Sequence, residues 1–518
     1  MPSAHRNLPI GIQTFSQIIS GGYYYVDKTA QIAQLLQQDK YYFLSRPRRF
    51  GKSLLLDTFK ELLECNESLF RSLAIHPHWD WTRPSPVIRI SFNDGGLESR
   101  SDLERRMKSL LKRNAQRLKV DFPTSDDPVE DFAELIYRTF EKYQQRVVIL
   151  IDEYDKPILD HINQTALALA MQECLKGFYS VIKEADAEIR FAFITGVSKF
   201  SKVSLFSGLN NLRDITLSTE YSALCGYTDT DLDTVFAPEL PGLDRADIKT
   251  WYNGYNWLGE SVYNPYDILL LFRERKFRSW WFESGTPSFL IKLLTERQTW
   301  LPTLGNLKAD AELLSTFDVE NIPTTALMFQ AGYLTIAKEE LLGGNYYYTL
   351  SFPNREVEQS LFGSLLRVWT VDEAAQVEHK QALYTLLTNQ DFAALKNLFQ
   401  AFFSSIPHQW LDNNPITKYE GYYASVFYAY FVAAGLQVQV EDATNLGRID
   451  MTVHLPSQIY LFEFKVVESV AKGHALQQIQ DKHYADKYRA KGLPIHLVGV
   501  EFARESRNVV GFDVAQCA

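Results

Sequence analysis

Two short segments of the chain combine residue types that could carry phosphate chemistry. The first is a loop with Arg46 at its start that ends in Gly51, Lys52 and Ser53. In a phosphate-binding loop, backbone N–H groups surround the phosphates, a lysine reaches the β- and γ-oxygens, and a hydroxyl binds Mg²⁺. The usual pattern begins with Gly, whereas this one begins with Arg46. We nevertheless predict that these four residues bind ATP, with Ser53 as a ligand of Mg²⁺.

An acidic strand end farther along the chain supports a nucleotide site. Residues 147–151 are an unbroken apolar run, typical of a buried parallel strand, and Asp152 and Glu153 follow it. Asp152 would hold the magnesium shell, and Glu153 would polarise the attacking water. Thr195 ends the next apolar strand and is a candidate sensor of the γ-phosphate. The competing interpretations are a solvated acidic strand end and, for Thr195, a plain turn.

The second segment with chemical potential lies towards the C-terminus. Asp450 and Glu463 fall on consecutive apolar stretches, and Lys465 follows Glu463 by two positions. Side chains two apart project from the same face of a strand. Two carboxylates on one rim bind a hard divalent cation, and a lysine beside them stabilises charge on phosphorus. The pattern favours Mg²⁺-dependent phosphodiester cleavage, although an acid and a lysine on an apolar strand also occur often by chance.

The elements that position the first segment alternate between strands and helices. Apolar runs predict strands at 41–44, 87–92, 147–151 and 190–195. Helical patterns follow at 52–63, 102–120 and 171–183. This alternation predicts βαβ units and a parallel sheet. The helix at 102–120 is rich in Lys and Arg, and could either meet nucleic-acid phosphates or simply face solvent.

The rest of the chain has a different pattern of residue types. Aromatic, turn-rich pieces begin near Trp251, and a helix and hairpin at 324–352 are similar to a winged helix or serve as a structural spacer. A helical linker is predicted at 374–403. The last module is predicted to contain a helix at 420–434, strands at 448–454 and 458–466, a helix at 471–490 and a strand at 495–500.

Bulk composition narrows the class of protein. The chain has 518 residues, a net charge of −10, 46% hydrophobic and 22% charged residues. That composition is globular, and the length predicts several domains. The four cysteines show no paired spacing. No signal peptide and no apolar run of membrane-spanning length is evident, so we expect a soluble, cytoplasmic protein with no membrane partner.

Five sequence blocks give the first segment a family resemblance. They are YYVDKT at 24–29, SRPRRFGKS at 45–53, LIDEYD at 150–155, FITGV at 193–197 and SGLNN at 207–211. Together they resemble the bacterial AAA-ATPase-like family, in which the loop itself has the form RPRRFGKS. The resemblance implies an AAA/STAND-type fold over about residues 5–290. Rings of AAA proteins use an arginine from a neighbouring subunit, for which Arg213 is one candidate.

The C-terminal module resembles the PD-(D/E)xK nuclease superfamily over about residues 410–505. This resemblance implies that Asp450 and Glu463 bind metal and that Lys465 is catalytic. Gln478 and Tyr484 match helix positions that line such sites. A degenerate nuclease fold, kept for binding alone, is the competing interpretation.

These observations lead to one architecture and two functional hypotheses. We expect an α/β protein with an AAA/STAND-like P-loop domain at 1–290, a helical or winged-helix-like region at 291–405 and a restriction-endonuclease-like α/β domain at 406–518. The first hypothesis is an ATPase joined to a Mg²⁺-dependent nuclease that acts on nucleic acid, with DNA favoured over RNA. The second is a STAND-like ATP switch with a non-catalytic C-terminal binding module. Assembly into a homo-oligomer stays open.

Overall fold

The computed structural model describes residues 5–93, 96–122, 124–199, 205–206, 211–283, 288–297, 301–315, 319, 322–369, 373–406 and 420–517. Its contacts divide the chain into two compact units. The first unit comprises Met1–Phe289 and Asn306–Arg355, and the second comprises Leu290–Gly305 and Glu356–Ala518. The domain boundaries predicted at 290 and 405 stay predictions.

The first unit is built around a five-stranded parallel sheet. Its strands are β1 (Tyr41–Ser45), β2 (Val87–Ser91), β3 (Val147–Asp152), β4 (Ile189–Gly196) and β5 (Arg213–Asp214), in the order β2-β3-β4-β1-β5. β1 and β3 are buried along their whole length, as expected of strands covered on both faces. The predicted α/β class with a parallel P-loop-type sheet is therefore confirmed.

Helices cover this sheet and extend the unit. They are α1 (Phe15–Ser20), α2 (Thr29–Gln38), α3 (Lys52–Leu63), α4 (Arg100–Leu118), α5 (Pro128–Tyr143), α6 (Lys156–Leu159), α7 (Thr165–Glu184), α8 (Asp229–Thr234), α9 (Arg245–Tyr252), α10 (Pro265–Glu274) and α11 (Trp280–Glu283). Local signals define several ends. Ser99 caps α4 by accepting from the backbone N–H of Asp102, and Asp127 caps α5, which begins with Pro128. The sequence reasoning missed α5 and the two-residue β5.

A small antiparallel sheet completes the first unit. Its strands are β6 (Leu307–Asp310), β7 (Thr335–Leu342) and β8 (Asn345–Ser351), in the order β6-β8-β7. Most of helix α12 (Ser288–Glu296) belongs to the second unit, whereas α13 (Ala311–Ser315) and α14 (Thr324–Ala331) precede the hairpin in the first. The predicted helix and hairpin are present, with β6 as an additional strand.

The second unit contains a mixed sheet covered by helices. Its strands are β9 (Gln437–Ala443), β10 (Arg448–Leu455), β11 (Gln458–Val467), β12 (Ile495–Ala503) and β13 (Val509–Cys517), in chain order across the sheet. β11 and β12 pair in parallel, and the other neighbouring strands of this sheet pair antiparallel. The helices are α15 (Arg355–Trp369), α16 (Glu373–Asn389), α17 (Phe392–Ser405), α18 (Glu420–Ala433) and α19 (His474–Asp481).

Two details of this unit differ from the sequence expectation. The helix expected at 471–490 is α19 followed by a separate 3₁₀ helix, Tyr484–Lys491, because His483 between them adopts a left-handed φ of 49°. Strands β9 and β13 were not predicted, because alternating polar residues weaken their apolar signal. Within the described residues, no helix is long and apolar enough to cross a membrane.

Candidate functional sites

The loop between β1 and α3 places the residues predicted to bind phosphate at the start of a helix. Gly51 adopts a left-handed φ of 88°, and a Cβ there would meet nothing within 4 Å, so the conformation rather than space requires glycine. Lys52 is buried, and its ammonium donates to the carbonyl oxygens of Arg46 at 2.9 Å and Pro47 at 3.0 Å. Ser53 follows in the first turn. Lys52 and Ser53 thus lie at the electropositive end of a 12-residue helix.

Asp152 ends β3 and Glu153 follows it directly, and β3 is two strands away from the strand that precedes this loop. β4 lies between β1 and β3, so the tip of β4 lies beside both. Asp152 is fully buried and accepts a hydrogen bond from Thr195 Oγ1 at 2.9 Å. Thr195 therefore contacts the predicted magnesium ligand directly, and its role as a sensor stays a prediction.

Asn93 is a neighbour of the acids that the sequence reasoning missed. With the amide orientation that satisfies its hydrogen bonds, Asn93 donates to the Glu153 carboxylate at 2.6 and 3.0 Å and accepts from Ser91 Oγ at 3.0 Å. Burial raises the pKa of Glu153, and the nearby Lys52 opposes that rise. The sequence signal that could have identified Asn93 is its position, because it is a polar residue two positions after β2, the strand that pairs with β3.

These residues open onto a cleft of about 450 Å³. Its polar lining residues include Asn93, Lys52, Ser53 and Glu153. Its other lining residues include an apolar group, namely Pro9, Ile12, Ile18, Tyr227 and Leu269. The combination suits a ligand with a charged tail and a flat apolar body.

Arg46 has a different role from the predicted one. Its guanidinium is fully buried and donates to the carbonyl oxygens of Ser45 and Thr216 at 2.9 Å and of Tyr221 at 3.2 Å. It also stacks 4.0 Å from the ring of Trp257, and burial lowers its pKa to about 10. The side chain therefore points into the protein rather than towards phosphate. This orientation corrects the assignment of the Arg46 side chain as a nucleotide ligand.

The loop is held from behind by the aromatic pieces that begin near Trp251. Phe50 is buried with its ring 4.7 Å from Tyr255 and 5.4 Å from Trp257. Trp281 donates its indole N–H to the Arg48 carbonyl at 3.0 Å. Arg46 and Phe50, two residues that depart from the usual loop pattern, thus anchor the loop backbone to the rest of the unit.

Arg213, the candidate for reaching a neighbouring subunit, is engaged within its own chain. It donates to Asp39 at 2.7 Å and to Gln38 at 2.9 Å. Residues 207–210 of the fifth sequence block lie outside the described residues. The described structure thus offers no support for Arg213 as a trans-acting arginine.

In the second unit, the sheet brings the three predicted nuclease residues together. Met451 of β10 pairs with Phe462 of β11, which sets Asp450 beside Glu463. Asp450 accepts from the Phe464 backbone N–H at 2.8 Å. The Lys465 ammonium lies 3.4 Å from Glu463 Oε1. All three predicted residues therefore share one rim.

The Glu463 carboxylate is the most electrostatically perturbed group of this rim. The side chain is 1% exposed, and among the described residues its Oε2 has no hydrogen-bond partner. Burial and the nearby Asp450 charge raise its pKa to about 8, although Lys465 opposes the rise. A cation between the two carboxylates would relieve that cost.

Helix α19 and the 3₁₀ helix complete the rim. Gln478 donates to Glu463 Oε1, and Tyr484 packs where a Cβ on Gly447 would come within 2.6 Å of its hydroxyl. Glu501, which the sequence reasoning missed, accepts the backbone N–H groups of His474 at 2.6 Å and Ala475 at 3.3 Å at the start of α19. Glu501 thereby fixes the helix that carries Gln478. No cluster of three or more His, Cys, Asp or Glu residues suited to a metal occurs among the described residues.

Comparisons with known proteins agree with both halves of this arrangement. A family model described as a predicted AAA-ATPase matches residues 9–206, and a PD-(D/E)XK nuclease superfamily model matches residues 418–512. The "Uncharacterized protein in vnfD 5'region" of Azotobacter chroococcum mcd 1 is 56% identical over 512 residues, which is 99% of each chain. The Aeropyrum pernix ORC1 protein in complex with DNA aligns with 67% of this chain and 96% of that chain, at 13% identity and a TM-score of 0.30, too weak a likeness to carry an argument.

Proposed function

Because the chain belongs to the family that joins a predicted AAA-ATPase domain to a C-terminal PD-(D/E)XK nuclease superfamily domain, we propose that it hydrolyses ATP and cuts nucleic acid with Mg²⁺. DNA is the favoured substrate. The observation that carries this proposal is the buried Glu463 carboxylate beside Asp450 and Lys465, one oxygen of which has no hydrogen-bond partner among the residues that the structure describes.

The carboxylate rim fits a hard divalent cation. Asp450 and Glu463 would hold the cation, and Gln478 fixes Glu463 through Oε1, which leaves Oε2 for the metal. The bound cation would supply Lewis-acid activation of the phosphodiester and of water. Lys465 then stabilises the negative charge that develops on phosphorus, and the low exposure of the rim strengthens that interaction.

The nucleotide cleft fits ATP through its own residues. Lys52 and the backbone around Gly51 would bind the phosphates, and Ser53 and Asp152 would hold Mg²⁺. Glu153 orients the attacking water and accepts its proton. Thr195 reports on the occupied site through its bond to Asp152, and Asn93 positions Glu153.

A nicking assay tests the nuclease half. Supercoiled plasmid, single-stranded DNA and RNA are incubated with the full chain and Mg²⁺, with and without ATP. Glu463→Gln and Lys465→Met should each lower the rate by about 10²-fold or more, because each removes transition-state stabilisation. Glu468→Gln is the matched control, since Glu468 lies just after β11 with an exposed side chain. Equal rates in wild type and both rim variants would reject the nuclease.

Phosphate release tests the ATPase half. Lys52→Ala should abolish ATP binding, and Glu153→Gln should retain binding but lose turnover. Glu141→Gln, on an exposed surface of α5, serves as the control. A protein that binds ATP without nicking any nucleic acid would instead be the STAND-like switch with a non-catalytic C-terminal module.

A further inference from the structure

A second concave surface of the first unit lies along the C-terminal half of α4 and the segment after it. We call it the lysine groove. It holds about 720 Å³, and its lining includes Lys108, Lys112 and Lys119. It shares none of the described residues that line the nucleotide cleft. The groove is therefore a separate site that the proposed ATP chemistry leaves unused.

The helix explains why the lysines form a stripe. Positions 108, 112 and 116 are four apart, so they lie on one face of α4, and Lys119 follows the last helical residue with a left-handed φ of 52° and lines the same groove. With a rise of about 1.5 Å per residue, the stripe from Lys108 to Lys119 is roughly 16 Å long. Gln116 occupies the one uncharged position. This spacing suits several successive phosphates of an extended polymer rather than a single small anion.

The cations of the stripe are largely uncompensated. Lys112 and Lys119 are exposed, and neither has an ion-pair partner in the described part of the chain. Lys108 lies 3.9 Å from the carboxylate of the exposed Asp126, and Asp121 also lines the groove. Two unpaired cations in a chain of net charge −10 mark a local site for a polyanion.

The floor of the groove indicates which polyanion fits. Phe122 is partly exposed and supplies apolar surface beside the lysines, whereas Ala115 and Val120 are buried beneath the groove, and the hydroxyls of Ser109 and Ser125 also line it. Single-stranded nucleic acid presents both phosphates and unstacked bases, which bind basic residues and aromatic or apolar surfaces respectively. A duplex offers phosphates but keeps its bases stacked.

We propose that the lysine groove binds single-stranded nucleic acid, with phosphates along Lys108, Lys112 and Lys119 and a base against Phe122. This rests on the proposed function for the identity of the anion. It assigns part of nucleic-acid binding to the AAA-ATPase domain, which would hold a strand independently of the nuclease rim.

Fluorescence anisotropy tests the groove. A labelled single-stranded DNA oligonucleotide is titrated with the full chain in EDTA, across a series of salt concentrations. Lys112→Glu/Lys119→Glu should weaken binding by about tenfold or more and lower the slope of log K against log[salt] by about 1.4, or about 0.7 for each lost contact. Lys183→Glu/Lys276→Glu makes the same change in charge at exposed positions outside the groove.

The outcomes separate the groove from the proposed function. Affinity and salt slope equal to those of the control variant would overturn the groove, and so would a wild type that binds no oligonucleotide. Lys112→Gln/Lys119→Gln repeats the test without charge reversal, and should weaken binding less while lowering the slope equally. Plasmid nicking, measured separately, decides the nuclease whatever the groove does.

Discussion

In the phosphate-binding loop, the protein itself partners the charged side chains. The Lys52 ammonium has two carbonyl acceptors, and the Arg46 guanidinium has carbonyl acceptors and the Trp257 ring. In the rim formed by Asp450, Glu463 and Lys465, by contrast, the buried Glu463 has an oxygen with no hydrogen-bond partner in the described part of the chain, and it lies next to Asp450. The Lys52 and Arg46 side chains thus have acceptors within the protein, whereas the burial of Glu463 beside Asp450 carries an electrostatic cost.

Because of this difference, stability and function depend on different residues in the loop but on the same residue in the rim. The Arg46 and Phe50 side chains shape the loop and are buried within the protein, so loss of either should cost folding energy. In the rim, the same carboxylate is expected both to bind metal and to destabilise the folded protein. Loss of Glu463 should therefore cost activity while adding stability.

The largest effect should come from Phe50→Ala. Removing a fully buried aromatic ring leaves a cavity against Tyr255 and Trp257, which costs about 3–5 kcal/mol. Urea unfolding followed by tryptophan fluorescence measures it. Tyr137→Ala, at a side chain that is half exposed, should change stability by no more than about 0.5 kcal/mol. An unchanged midpoint for the Phe50 variant would show that the loop is not anchored from behind.

Arg46→Lys tests whether the loop arginine is an anchor or a phosphate ligand. A lysine keeps the charge but cannot reach the Thr216 and Tyr221 carbonyls together, so we expect a loss of about 3 kcal/mol. ATP affinity of the folded fraction should change little. Full stability combined with weakened ATP binding would restore the predicted ligand role of Arg46.

Gly332→Ala tests the support beneath the loop. Gly332 has a φ of 89°, and a Cβ there would meet the Pro47 ring at 2.6 Å. Gly344 has a similar φ of 85° with nothing within 4 Å, so Gly344→Ala carries the conformational cost alone. We expect Gly332→Ala to be less stable than Gly344→Ala by about 2 kcal/mol, through overpacking. Equal unfolding midpoints of the two variants would mean that the Pro47 ring moves away from the added methyl group at no cost in stability.

The outline of the fold could be predicted because its strongest signals are local. The apolar run before Asp152 identified β3, and the Gly51-Lys52 pair identified the start of α3. Strands β9 and β13 could not be found in this way, because a strand with alternating polar residues is defined by its neighbours in the sheet.

The sites show the same limit. Asp450, Glu463 and Lys465 could be grouped from spacing, because adjacent strands bring them together. Arg46 was misassigned because a motif gives residue types but not the direction of a side chain. Asn93 and Glu501 act through contacts that are distant in sequence, with Glu153 and with the start of α19. Only the folded chain identifies such partners.

The smallest expected effect has the opposite sign and depends on pH. The Glu463 pKa is raised from 4.5 to about 8 in the folded protein, first by burial and then by Asp450. Between those values the folded state holds a proton that the unfolded state has released, so stability falls as pH rises through this window. Glu463→Gln removes this dependence and should add about 1–2 kcal/mol at pH 8 without divalent cation, since it removes a buried, unpartnered charge.

Urea unfolding of wild type and Glu463→Gln at pH 5.5, 7 and 8 in EDTA measures the difference. The two proteins should diverge as pH rises, and Glu468→Gln, at an exposed carboxylate, should follow wild type. Mg²⁺ should then stabilise wild type but not Glu463→Gln, because only a carboxylate pair binds the ion in the folded state. A wild type that gains stability relative to Glu463→Gln from pH 5.5 to 8 would show that the rim carries no such cost, and the contrast with the phosphate-binding loop would fail.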